Sequence, residues 1–390
     1  MTDSTPPVRP LAEIRKELDG LDADILALLA KRQQIVAEVA ATKLAQGIRI
    51  RDVAREDEVL RERAARGEKL GLPPSVVQSI WRLLMMASRD HQAALKIEAA
   101  PQAEPRTVAI LGGKGGMGKL FQGLFEGLGH RVLVVDLDTT LTAVEAAKQA
   151  DVVVVTVPIR ETERVVREVG PHLREDALLL DLTSLKTAPI ATMVASTKAS
   201  VVGSHPMFGP GIHTFQGQRV VLCRGRGDAW FEWVKATFEA RGLVVTESSP
   251  EQHDRAMALV QVLTHYQTQV LGLTLARMGI PLEEPLAFTS PAYLLEAYVT
   301  ARHFAQSPAL YGPIEMENPL TSQVTSTFEA SAREVAEILA SKDQARFDAL
   351  FSEVSSFFGE FTQEALEQSG FLIDRLVELT TGRAASAQGR

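Results

Sequence analysis

Between Thr107 and Ser248 the chain alternates short apolar runs with stretches of helical character: "TVAIL", "RVLVVD", "DVVVVTVP" and "ALLLDLTS". Such runs, with no polar alternation, suit strands buried on both faces, so they predict a parallel sheet with crossover helices. "SVVGSHP" and "QRVVLC" continue the sheet, and "GLVVTES", Gly242 to Ser248, reads as its last strand.

The flanks follow a different period. Leu11 to Ala45 contains no Pro and only one Gly, Gly20, with Leu11, Ile14, Leu18, Leu21, Ile25, Leu28 and Leu29 at helical spacing. This predicts one helix ending near Gly47. At about 1.5 Å per residue it is roughly 50 Å long, more than one small domain covers, so it implies a partner subunit. A second helix is expected from Asp52 to Gly67. "GLPP" then breaks the chain before a third, Pro74 to Ile97. "EAAPQAEPR" reads as a linker. After Pro250 helical patterning returns over 251–279, 291–305, 320–340 and 342–380, and the tail "TTGRAASAQGR" is expected to be disordered. The organisation expected is an all-helical domain (8–98), a linker (99–105), an α/β Rossmann-type domain (106–249), an all-α C-terminal domain (250–381) and a tail (382–390).

A length of 390 residues accommodates these as separate cores. The net charge of −8 disfavours nucleic acid as a partner. The single cysteine, Cys223, excludes an intrachain disulfide framework and fits a reducing compartment. The N-terminus has no apolar signal core, and no apolar run approaches the roughly 20 residues that span a bilayer. The expected setting is the cytoplasm, away from membranes.

"VAILGGKGGMGKLF", Val108 to Phe121, fits two glycine-loop patterns. A nucleotide-hydrolysing P-loop needs a hydroxyl after its lysine for magnesium, and Leu120 stands there. A dinucleotide fingerprint needs Gly113, Gly115 and Gly118 between a strand and a helix, with Gly116 and Met117 at the turn into that helix. The pyrophosphate then sits at the helix N-terminus. The acid for the ribose hydroxyls belongs about 20 residues on, where Asp136 stands. The stretch after it, "LDTT", has no cation for a 2′-phosphate, so NAD is favoured over NADP. Lys114 and Lys119 are candidates for pyrophosphate contact. A ligand-free glycine turn and the ATPase loop are the competing readings.

His205 in "VVGSHPMFGP" ends a strand at the carboxyl edge of the sheet, where a nicotinamide ring would lie. Histidine titrates near neutrality and can take a proton from an alcohol while hydride leaves the carbon. Ser184 in "DLTSLK" could bond the imidazole or simply cap a turn. From spacing alone a lone histidine is more often structural.

"DLTSLK" and "GSHPMFGP" behind this glycine loop resemble the prephenate dehydrogenase family, from about Arg106 to the last helix. The resemblance implies that His205 polarises or deprotonates the ring hydroxyl of prephenate, that Ser184 supports His205, and that hydride passes to NAD as carbon dioxide leaves. It also implies that Arg302 in "SPAYLLEAYVTARHFAQSP" binds a substrate carboxylate and that His265 in "QVLTHY" lines the pocket. His253 lies twelve residues before His265, about 120° around a helix, and no H-E-x-x-H pattern exists, so no metal is expected. "LYGPIEMEN" resembles a family segment but receives no role.

In the first hundred residues, Arg32 and Lys43 are eleven apart and share a helix face, whereas Arg15 lies about 100° away and could serve a partner's site. Asp52, Arg55 and Glu56 share a face of the second helix, as do Ser88 and Gln92 on the third. "EIRKELDGLDADILALLAKR" and "VAEVAATKLAQGIRIRDVAREDEVL" resemble the all-helical chorismate mutase domain. The resemblance implies that Arg32, Lys43 and the partner's Arg15 bind the carboxylates of chorismate. Lys43 and Gln92 face the ether oxygen, Glu56 and the region of Asp52 hold the ring hydroxyl, and Arg55 and Ser88 line the pocket. Such a rearrangement needs no cofactor; it rests on holding the reactive conformer and stabilising charge on the ether oxygen.

Together the halves resemble the bifunctional chorismate mutase/prephenate dehydrogenase family of tyrosine biosynthesis. That implies a homodimer with mutase sites shared between subunits, and L-tyrosine as a feedback inhibitor. Open alternatives are a preference for arogenate, a mutase-like part kept only for assembly, and an ATPase-type binding protein.

Overall fold

The computed structural model describes residues 9–48, 50–99 and 104–387, with the side chains of 96–99 and 378–387 excepted. Two units are compact in themselves. The first holds the chain as far as Thr156, then Val169–Leu182 and Thr197–Glu247; the second holds Val157–Glu168, Thr183–Ser196 and the chain from Ser248.

The first unit opens with three helices: α1 (Leu11–Ala45), α2 (Val53–Glu68) and α3 (Pro74–Ala99). Helix α1 is the continuous helix expected, and Gly47 at φ 66° ends it. Asp52 caps α2 by accepting from Arg55 N at 3.1 Å. Both α1 and α2 pack on α3, and Gly67 lets α2 approach closely, since a Cβ there would lie 2.5 Å from Val77 Cγ2. The apolar stripe of α1 is unburied within one chain: Leu18, Leu21, Ile25 and Leu28 are each more than half exposed, and Val36 is the residue of α1 that is buried. Residues 100–103 of the expected linker lie outside the described residues.

The sheet contains β1 (Thr107–Leu111), β2 (Arg131–Val135), β3 (Val152–Val155), β4 (Leu178–Asp181), β5 (Ser200–Pro206), β6 (Arg219–Arg226) and β7 (Val244–Ser248) in the order β2-β1-β3-β4-β5-β6-β7. Helices α4 (Gly116–Glu126), α5 (Ala143–Gln149), α6 (Ile159–Val169), α7 (Thr187–Ser196) and α8 (Asp228–Ala240) alternate with the strands. Phe121, Leu124 and Phe125 of α4 and Phe231, Val234 and Phe238 of α8 form one core with Val108, Ile110, Val154, Leu180 and Val202. Every residue of β3 and β4 is buried, as their unbroken apolar runs require.

The sheet departs from the expected all-parallel arrangement at β6, which pairs antiparallel with β5. The residues between them, 207–218, contain Pro and Gly but no helix. Without a crossover helix the chain cannot return to start a parallel neighbour, so it folds back directly.

The second unit contains α6, α7, α9 (Pro250–Met257), a π-helical segment (Ala258–Leu263), α10 (Thr264–Arg277), α11 (Glu283–Ala287), α12 (Pro291–Phe304), α13 (Pro308–Met316), α14 (Thr321–Ser341), α15 (Gln344–Phe358) and α16 (Phe361–Ala387). Three features differ from the helical pattern read in the sequence. The stretch 342–380 is two helices, because Gly359 takes φ 52° and ends α15. Helices α11 and α13 were not anticipated; α13 carries Pro313 within it. The segment expected to be a tail is helical as far as Ala387, and 388–390 lie outside the described residues.

One buried acid organises the start of this unit. Asp254 of α9 accepts from Lys186 N and Thr187 N, both at 2.9 Å, and so caps α7. His253 Nδ1 lies 2.8 Å from the same carboxylate, and Asn318 donates to the Asp254 carbonyl at 2.9 Å. Burial raises the carboxyl pKa, but the hydrogen bonds from His253, Thr187 and Lys186 outweigh it and bring it down to about 2. A carboxyl depressed on folding adds stability above its unfolded pKa, near 3.9, and loses it as pH falls through the folded value. Asp254→Asn is therefore expected to cost about 2–3 kcal/mol near neutrality and little at about pH 2, as read by urea unfolding across that range. A constant difference at all pH values would contradict this.

Candidate active sites

The glycine loop follows β1 at the point where the chain turns outward to β2 on one side and to β3 on the other. Such a switch point leaves a crevice at the carboxyl ends of the strands. The left-handed residue of the turn is Gly112, at φ 80°, one position before the fingerprint. Gly118 meets a packing demand: a Cβ there would lie 2.5 Å from Gly112 O and 2.6 Å from Gly113 Cα. The first intrahelical bond of α4 runs from Lys119 N to Gly115 O at 2.9 Å. The N–H groups of Gly116, Met117 and Gly118 therefore precede the helical ladder and are available to an anion. Asp136, just past β2, accepts from Lys114 N and Leu137 N, both at 2.9 Å, which turns its carboxylate toward the loop. Leu137 beside it is fully exposed. Backbone donors, close glycine packing and a positioned acid fit a dinucleotide.

His205 lies on β5, opposite Val221 of β6, and is 3% exposed. Its neighbour Ser204 donates to Asp181 O at 2.7 Å. The loop after His205 returns to the glycine loop, where a Cβ on Gly116 would meet Pro210 Cγ at 2.8 Å. Phe208 and Phe215 stack edge-on at 6.1 Å, and Phe215 meets Phe121 of α4 at 6.2 Å. These rings fix the His205 loop to the helix that begins at the glycine loop. Ser184 is half-buried and belongs to the second unit, next to Thr183, which donates to Leu185 O at 2.8 Å. Lys186, two residues on, is fully buried and reaches Thr183 Oγ1 at 3.3 Å; its burial is invisible in the sequence.

Within the second unit, His265 of α10 joins a cluster larger than the sequence suggested. Its Nδ1 lies 3.6 Å from Glu315 Oε1. Gln269 Nε2 donates to Glu315 at 2.8 Å and lies 3.2 Å from His303 Nε2. The Tyr311 ring lies 4.0 Å from that of His303 and 4.7 Å from that of His265. Burial, and then His303, push His265 down to about 4, and burial lowers His303 as well. Both imidazoles are thus neutral at pH 7. Burial raises Glu315. Arg302, beside His303 at the end of α12, is exposed. His303, Tyr311 and Glu315 had escaped notice, although Tyr311 and Glu315 stand four apart in "LYGPIEMEN" and share a helix face.

In the helical hairpin, Arg32 of α1 donates to Ser88 Oγ, and to Leu84 O at 3.3 Å. Burial lowers its pKa. Gln92 is 7% exposed; its Nε2 donates to Ser88 O at 3.2 Å, and its Oε1 has no hydrogen-bond partner. Lys43 reaches Ile50 O at 2.5 Å in the loop after α1. Glu56 accepts from Arg89 of α3 at 2.6 Å and lies 3.5 Å from Arg51 Nε. Arg32, Ser88 and Gln92 therefore form one polar group. Arg55 instead makes an exposed pair with Glu58 at 2.6 Å, Asp52 is an exposed helix cap, and Arg15 is exposed on α1. Arg89 was missed because its partner lies 33 residues away on another helix.

Among the described residues, no group of three His, Cys, Asp or Glu is arranged to hold a metal, and no helix is long and apolar enough to cross a membrane.

Three family models match in succession: "Chorismate mutase type II" over 14–93, "Prephenate dehydrogenase, nucleotide-binding domain" over 129–247, and "Prephenate dehydrogenase, dimerization domain" over 249–353. The T-protein of Enterobacter agglomerans is 34% identical over 367 residues, covering 94% of this chain and 98% of that protein. The chain belongs to the T-protein family. The Haemophilus influenzae T-protein is 31% identical over 95% of this chain and 98% of its own length. The crystal structure of Aquifex aeolicus prephenate dehydrogenase with hydroxyphenyl propionate and NAD+ shares the fold (TM-score 0.55, 22% identity, 65% of this chain and 98% of that one). The family fixes two activities on one chain. Chorismate is rearranged to prephenate, and prephenate is oxidised with NAD and decarboxylated to 4-hydroxyphenylpyruvate.

Proposed function

We propose that the two activities use separate sets of residues: residues of α1–α3 for the rearrangement, and other residues, of the sheet and of the C-terminal helices, for the oxidation. The observation that carries this is that each set has contacts of its own: Arg32, Ser88 and Gln92 interlock within the hairpin, while the His205 loop packs on the glycine loop.

In the hairpin, Arg32 and Lys43, with the partner's Arg15, take the carboxylates of chorismate. Gln92 uses one amide hydrogen on Ser88 O, leaving the second for the ether oxygen, beside Lys43. Glu56, steadied by Arg89, takes the ring hydroxyl, with Asp52 near it. Ser88 and Arg55 line the pocket; the exposed Arg55–Glu58 pair would have to open for that. No proton moves; the groups hold the reactive conformer and stabilise charge as the ether bond breaks.

For the dehydrogenase, Gly113, Gly115, Gly116, Met117 and Gly118 take the pyrophosphate, and Asp136 takes the ribose. NAD bound there supplies the hydride acceptor. His205 accepts the proton of the ring hydroxyl, and Ser184 serves the same transfer. Arg302 forks onto a substrate carboxylate, and His265, neutral at pH 7, hydrogen-bonds the substrate without repelling Arg302. The role of Arg302 is tested by Arg302→Lys. Loss of the planar fork should raise KM for prephenate about tenfold or more while kcat changes little. An unchanged KM would remove Arg302 from the site.

The exposed stripe of α1 and the dimerization-domain match support a homodimer. L-tyrosine, which shares the ring and a carboxylate with the dehydrogenase product, is proposed as a feedback inhibitor competing at Arg302 and His265. The single cysteine, buried and outside any disulfide, supports a cytoplasmic setting.

A further inference from the structure

Lys114, between the first two fingerprint glycines, is tied to two acids of the turn after β2. Its backbone N–H donates to Asp136 Oδ2 at 2.9 Å, and its Nζ lies 2.7 Å from Asp138 Oδ1. The turn itself is fixed. Thr139 Oγ1 accepts from Asp136 N at 2.9 Å and donates to Asp136 O at 2.7 Å. Asp138 is therefore held facing the glycine loop, and its hydrogen bond with Lys114 keeps its carboxyl below the usual range.

The pair contributes little to stability, because both ends are in water: the side chains of Lys114 and Asp138 are 48% and 72% exposed. Its position suggests another use. A ribose with a free 2′-hydroxyl needs an acceptor, which Asp136 supplies. A ribose bearing a 2′-phosphate brings roughly two negative charges to the same spot and needs a cation. The four residues after Asp136 contain none. The fold nevertheless delivers one from the glycine loop, and Asp138 holds its head.

We propose that the Lys114–Asp138 pair sets the preference for NAD over NADP: Asp138 occupies the Lys114 ammonium and adds a second negative charge beside Asp136. Released from Asp138, Lys114 becomes a ligand for the 2′-phosphate. The proposal rests on Asp136 being the ribose acid.

The test measures kcat/KM for NAD+ and NADP+ with prephenate in the full-length enzyme and in Asp138→Asn, Asp138→Asn with Lys114→Met, and Asp136→Asn. Asp138→Asn should raise the NADP+/NAD+ ratio about tenfold at low ionic strength, with the gain shrinking as salt is added. Adding Lys114→Met should remove most of the gain and leave only the part due to the lost Asp138 charge. Mutase activity on chorismate, which neither residue serves, should stay unchanged, and a circular dichroism spectrum and urea midpoint matching the parent report that the sheet is folded. A ratio unmoved by Asp138→Asn, or a gain that survives Lys114→Met in full, would overturn the proposal. Asp136→Asn tests the reading beneath it. A KM for NAD+ unaffected by that change would remove Asp136 from the ribose, and both statements would fall. A raised KM there with a silent Asp138→Asn would sink the pair alone.

Discussion

Replacing His205 with asparagine should lower dehydrogenase turnover by about 10²–10⁴, the range that a positioned general base contributes, and leave chorismate rearrangement near its original rate. Asparagine keeps a polar, planar group in a site that is 3% exposed, so the strand should hold its register against β6. What it loses is the ability to accept a proton near neutrality. The mutase residues Arg32, Ser88 and Gln92 lie on α1 and α3 and draw on nothing from the sheet. The check is paired: NADH formation from prephenate, and chorismate disappearance without NAD. Parallel loss of both in a folded variant would mean that the two activities share residues.

The reciprocal change is Gln92→Ala. Gln92 is buried on α3, with its Nε2 on Ser88 O and its Oε1 without a partner. Removing one preorganised donor at a charge that develops in the transition state costs about 10²–10³ in kcat. Mutase kcat should fall by that factor, with prephenate oxidation unchanged. The truncation also removes a buried unsatisfied acceptor, so stability should fall less than for a typical core deletion. A small effect on kcat with a large rise in KM would instead assign Gln92 to ground-state binding. Mixing the two variants should restore NADH formation from chorismate, since prephenate released by one would feed the other.

Much of this was legible in the sequence because it is local. A helix without proline and a buried strand of four valines announce themselves by period and composition. The glycine loop, the acid after β2 and the histidine ending β5 all sit at strand ends that the apolar runs delimit. The antiparallel β6 was not legible, because its run resembles those of the parallel strands; direction is decided by the missing helix in 207–218. Non-local constellations were read in part. Arg302 and His265 stood out, yet Gln269, His303, Tyr311 and Glu315 converge from α10, α12 and α13, whose packing no period encodes. Asp254 reads as one more helix acid until Lys186 N and Thr187 N, nearly seventy residues earlier, are seen donating to it. Lys114 lies more than twenty residues before Asp138 in the sequence, and only the fold brings the two side chains together.

The most direct measurement supplies the purified protein with chorismate and NAD alone and follows NADH. NADH should form with 4-hydroxyphenylpyruvate as product, after a lag while prephenate accumulates. NADH from added prephenate but none from chorismate would contradict the mutase assignment, and silence with both substrates would contradict the account as a whole.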